Sequence, residues 1–102
     1  MLDPPTRDSF APLLNSQFQL EGSSESIDME LTEVSELRVS RGHESFSLVF
    51  RGPGDMFLPQ ATYRFNHSAL GAIDLFIVPI GQDKHGLYYE AIFNLLRDRE
   101  QA

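Results

Sequence analysis

The chain has no cysteine. That excludes a disulfide framework, a thiolate zinc site and a cysteine nucleophile, and it leaves the compartment unmarked by redox chemistry. Positive charge is scarce. There are 8 Lys and Arg against 15 Asp and Glu, for a net charge of −7. Nucleic-acid binding usually leaves a basic footprint, so this balance counts against a nucleic-acid partner without removing a local patch. No apolar run approaches the ~20 residues a spanning helix needs. The N-terminus, "MLDPPTRDSF", lacks the basic start and apolar core of a signal peptide. These absences point to a soluble, cytoplasmic chain that does not engage a membrane. Repeats, low-complexity segments and linkers are also missing.

Chemical motifs are missing as well. No nucleophile elbow, no glycine-rich loop opening a helix and no His-Glu helix motif occurs. The three histidines, His43, His67 and His85, fall in turn-like stretches without metal-ligand spacing, and read as solvated loop residues. "RGPGD" at 51–55 is a turn, in which two glycines and a proline supply the required backbone angles. The acids Glu21, Glu25, Asp28, Glu30, Glu33 and Glu36 alternate with apolar residues or lie in loops, as a solvated acidic edge would. Nothing calls for a metal, a cofactor or a catalytic residue, so the expectation is a non-enzyme.

What is present is a core. Of 102 residues, 41% are hydrophobic, with eight Phe and three Tyr. The length suits one domain over 1–102, with 1–7 and 96–102 as loose tails. One short helix is expected in "DSFAPLLN". Asp8 or Ser9 would be its N-cap, Pro12 would fall in its first turn, Phe10, Leu13 and Leu14 would form its apolar side, and Asn15 would stop it. The period then changes to two. "QFQL", "IDMEL" and "ESFSLVF" alternate, with Phe46, Leu48 and Phe50 inward and Ser45, Ser47 and Val49 outward. A register slip between Thr32 and Glu36 implies a bulge. "TYRFN", "AIDLFIVPI" and "LYYEAIFN" follow. The fold class is therefore mainly β: a short N-terminal helix, then about six antiparallel strands in a small, strongly bent barrel or sandwich.

The most hydrophobic stretch, "GAIDLFIVPIG", contains one acid, Asp74. Setting Arg64 opposite Asp74 also sets Tyr63 against Leu75 and Phe65 against Ile73, so the ion pair and the apolar pairs agree on one register. Pairing Ile77 with Ala91 carries the pattern on, with Leu75 meeting Phe93 and Asp74 meeting Asn94. Tyr63, Phe65, Ile73, Leu75, Ile77, Tyr89, Ala91 and Phe93 then face the core. The opposite face carries Phe76, Val78, Ile80, Tyr88 and Ile92, with Asp74 and Arg64 marking its polar end. Pro79 implies a bulge or a break in pairing. So apolar a face is either buried by strand curling or is a surface for self-association or a protein partner.

The pieces "FRGP", "LPQ.TYRF.H..LG..DLFIVPIG" and "YYEAIFN", with "DSFAPLLNSQF" near the start, resemble a family of small bacterial domains of unknown function. The family form often has glycine at Ala61 and proline at Ser68. The resemblance implies no activity and no catalytic residues. Some members are encoded near phage-tail-like structural genes, which implies a structural or adaptor role. The order of helix and bent strands is also similar to Sm/SH3-like small barrels. That analogy opens two alternatives: RNA binding through Arg38, Arg41, Arg51, Arg64 and Lys84, or a small-ligand barrel.

Overall fold

The computed structural model describes residues 6–22 and 25–96. The expected tails fall mostly outside the described residues, at 1–5 and 97–102; Thr6 and Arg7 belong to the helix that follows. Helix α1 spans Arg7–Phe10 and continues as a 3-10 turn over Ala11–Leu13, with Pro12 near its start. Its N-cap is Thr6, not Asp8 or Ser9. Ser9 instead sits three residues inside, where its Oγ accepts the Thr6 backbone N–H at 3.1 Å. Asn15 ends the segment at φ 70. Its N–H then donates to the carbonyl of Leu31 at 2.7 Å, turning the chain into the first strand. Phe10 is fully buried, while Leu14, expected on the same apolar side, is exposed.

Seven strands follow: β1 (Gln17–Glu21), β2 (Ser26–Val34), β3 (Arg38–Ser40), β4 (His43–Gly52), β5 (Ala61–His67), β6 (Gly71–Asp83) and β7 (Gly86–Leu96). Every pairing is antiparallel. The sheet order is β2-β1-β5-β6-β7-β4-β3, and β2 also pairs with β4. That extra pairing closes six strands into a barrel and leaves β3 as an added strand on β4. The choice between barrel and sandwich is thereby decided. The short β3 lies in a stretch with no sustained alternation, and its pairing to Glu44 and its neighbours is what makes it a strand.

The expected register holds between β5 and β6: Arg64 faces Asp74, Tyr63 faces Leu75 and Phe65 faces Ile73. Ile77 faces Ala91. The ladder between β6 and β7 starts there, however, and runs away from the expected Leu75–Phe93 and Asp74–Asn94 pairs. Phe93 pairs with Phe46 of β4 instead. Near Phe93 the α1 side chain Phe10 packs in, its ring 5.4 Å from Phe93 and 6.1 Å from Phe46, centroid to centroid. The bulge in β2 falls between Leu31 and Glu33, as the slip implied. A second bulge falls between Pro79 and Gly81, so Ile80 is the extra residue.

The core lines the barrel interior. Phe18, Phe50 and Phe65 meet there with centroids 4.9–6.4 Å apart. Leu75, Ile77, Tyr89 and Ala91 are buried with them, and Tyr63, Ile73 and Phe93 pack against the cluster. Val49 faces away from this cluster as expected, yet it is buried, because Glu33 of β2 and Glu90 of β7 flank it. The loop between β4 and β5 crosses one barrel end. Buried Tyr89 holds it there, accepting the Leu58 N–H at 3.1 Å and donating to the Met56 carbonyl at 3.4 Å.

Candidate interaction face

Alternation in β6 and β7 places Phe76 and Ile92 on the outside of the barrel, and the bulge adds Ile80. They are 52%, 62% and 51% exposed respectively. Val78 and Tyr88 share this face and are half-buried. Phe76, Val78, Ile80, Tyr88 and Ile92 thus gather on one outer surface. Closing the barrel leaves them in solvent, so closure and exposure coexist here; curling does not bury them.

At the polar end, Arg64 and Asp74 form a two-pronged contact. Arg64 Nε donates to Asp74 Oδ1 at 2.9 Å and Nη2 donates to Oδ2 at 3.3 Å. The bond from Arg64 holds the Asp74 carboxyl below its ordinary range, and the Asp74 carboxylate raises the guanidinium in turn. Both side chains remain about half exposed, so the pair is weak as a source of stability and serves more to mark register. At the other end, the Asp83 carboxylate accepts the His85 backbone N–H at 2.7 Å and the Tyr88 hydroxyl at 3.0 Å. These bonds, the backbone one first, lower Asp83. Partial desolvation and the bond to Asp83 raise Tyr88.

A hollow of about 220 Å³ adjoins the apolar strip. Ile92 and Glu90 of β7 form one side, Arg38 of β3 the other, and Ser45 and Ser47 of β4 lie between. A second hollow, of about 290 Å³, opens at the barrel mouth beneath Met56 and Leu58, lined by Leu20, Ile27 and Tyr63. Met56 and Phe57 stand exposed beside it. Neither residue was singled out from sequence. The signal was available in "MFLP", an apolar run placed after a turn and outside any alternating strand.

The five cations proposed as an RNA patch are dispersed. Arg51 is bonded to Glu30 and Arg64 to Asp74. Lys84 occupies the β6–β7 turn, while Arg38 and Arg41 lie at β3 and the turn after it. Among the described residues, no three His, Cys, Asp or Glu side chains gather as metal ligands. His43 and His85 are exposed, but His67 is not the solvated loop residue expected. It ends β5, half-buried, with Nε2 2.9 Å from Ser16 Oγ and Nδ1 accepting the Ala69 N–H at 2.9 Å. Its ring lies 4.5 Å from Phe18. Among the described residues no helix is long and apolar enough to cross a membrane.

The chain belongs to the family described as a domain of unknown function (DUF6916), which matches residues 5–93. No curated protein and no solved structure matches it.

Proposed function

We propose that this member of the family is a non-enzymatic protein-interaction module that docks through the outer face of β6 and β7. The observation that carries this reading is the strip formed by Phe76, Val78, Ile80, Tyr88 and Ile92 on the outside of a closed barrel. A barrel already buries what its fold requires. Isolated exposed apolar residues are ordinary, but several gathered on one outer face are a feature of contact surfaces. Large aromatic and aliphatic anchors also dominate binding energy when such a face is covered. The sequence resemblance to domains encoded near phage-tail-like genes supports an adaptor role within a larger assembly.

A photo-crosslinking residue at Val78, introduced into cells that naturally make the chain, tests the proposal. A discrete crosslinked protein species is expected. Phe76→Glu should abolish it while leaving the dispersion of the amide spectrum unchanged. No crosslink at Val78, or one that Phe76→Glu leaves intact, sinks the docking face.

A further inference from the structure

We infer that a second copy of the same chain covers the β7 side of this face, docked about a two-fold axis over Ser45 and Ser47, with Arg38 of each copy against Glu90 of the other. The inference rests on the docking face proposed above and names what covers its β7 side.

The argument starts from Glu90. It projects from β7 on the outer face, with Val78 opposite on β6 and Val49 opposite on β4. Among the described residues no cation lies within ion-pair distance of it. Any molecule that covers the strip strips water from this carboxylate. Burying a carboxylate without a cation is strongly unfavourable, so the occupant must bring one. A generic apolar partner does not meet that requirement.

This chain does. Arg38 is exposed across the same hollow, and among the described residues it too makes no ion pair. The other two arginines near this face are already committed, Arg64 to Asp74 and Arg51 to Glu30. Within one chain Arg38 and Glu90 stand apart on opposite sides of the hollow. A two-fold operation over the serines between them exchanges the two positions, so each unpaired charge meets its opposite twice. That is the self-complementarity an isologous interface needs. Ser45 and Ser47 are small enough to let two sheets approach, and Ile92 supplies apolar contact at the edge of the hollow.

The net charge of −7 opposes self-association in general. Each Arg38–Glu90 contact across the interface offsets part of that repulsion with an attraction between opposite charges.

The test is solution mass by light scattering over a concentration series. The wild-type mass should rise toward twice 11.5 kDa. Arg38→Glu and Glu90→Arg should each weaken the dimer by about tenfold or more, as close charge pairs do. An equimolar mixture of the two variants should restore it, because the mixed pair has an opposite charge at both contacts. That rescue also shows that each variant is folded. Ile92→Glu should give a monomer. A wild-type monomer at every concentration, with the Phe76-dependent crosslink still present in cells, overturns the second copy and leaves the docking face standing. A dimer indifferent to both charge reversals and to Ile92→Glu overturns the proposed dimer. Loss of both dimer and crosslink removes both readings.

Discussion

At the scale of single residues, two positions show how local chemistry sets the structure. Gly86 follows the two-residue β6–β7 turn at φ 147. A Cβ there would lie 2.2 Å from the Gly52 carbonyl oxygen. No side chain fits, because backbone rather than a movable side chain blocks the space. Gly86→Ala is expected to cost about 3 kcal/mol from combined strain and clash, read by urea denaturation; a cost below about 0.5 kcal/mol contradicts the close approach. Asp74 is the second position. Its bonded carboxyl titrates below the usual 3.8, so the folded state binds its proton less readily than the unfolded chain. Stability from this contact is therefore present above the unfolded value and lost as pH falls through the lower folded one. Wild type and Asp74→Asn should differ by a constant amount above about pH 5 and converge below about pH 4. Parallel acid-denaturation curves would show that the bond does not matter in solution.

At the scale of elements, α1 acts as a plug. Four residues cannot hold a helix by propensity alone, since nucleation consumes most of what so few hydrogen bonds return. Its anchor is Phe10, fully buried against Phe46 and Phe93, whose rings stack 4.7 Å apart. Arg7 adds a bond from Nε to the Ser35 carbonyl at 2.7 Å, tying the helix to the bend between β2 and β3. Phe10→Ala should cost about 3–5 kcal/mol, as large core truncations do, and should release the helix first. Hydrogen exchange at Ser9, whose N–H bonds the Thr6 carbonyl at 2.9 Å, would then rise ahead of exchange in β4. Equal acceleration across the barrel would mean that the helix and the sheet form one cooperative unit.

At the scale of the whole molecule, the barrel separates two kinds of surface. Polar and acidic side chains from β1 and β2 occupy one side, and the apolar strip of β6 and β7 occupies the other. Because the strip takes no part in the core, charging it should leave the fold intact. Phe76→Glu is expected to change stability by under about 1 kcal/mol in thermal or chemical denaturation. A large loss would mean that the strip supports the barrel, and the docking reading would fall with it.

Much of this was legible in the residues, and for definite reasons. The β5–β6 register was, because one alignment satisfied Arg64–Asp74 and the apolar pairs together, and a slip of one residue breaks both. The interior of β4 and the bulge after Leu31 followed from period-two alternation and its interruption. The face holding Phe76, Val78, Ile80, Tyr88 and Ile92 followed from the same alternation. Sequence alone determined which side of each of the longer, alternating strands is apolar, though not of β3, which shows no alternation. It did not determine whether those sides meet in a closed surface. Closure depends on β2 reaching β4 and β1 reaching β5 through short ladders between distant segments, where loop-closure entropy must be overcome by contacts no local pattern displays. The same holds for the hollow that sets Arg38 across from Glu90. The two residues are far apart in the chain, and only the addition of β3 to β4, with β7 on the other side, brings them to one surface.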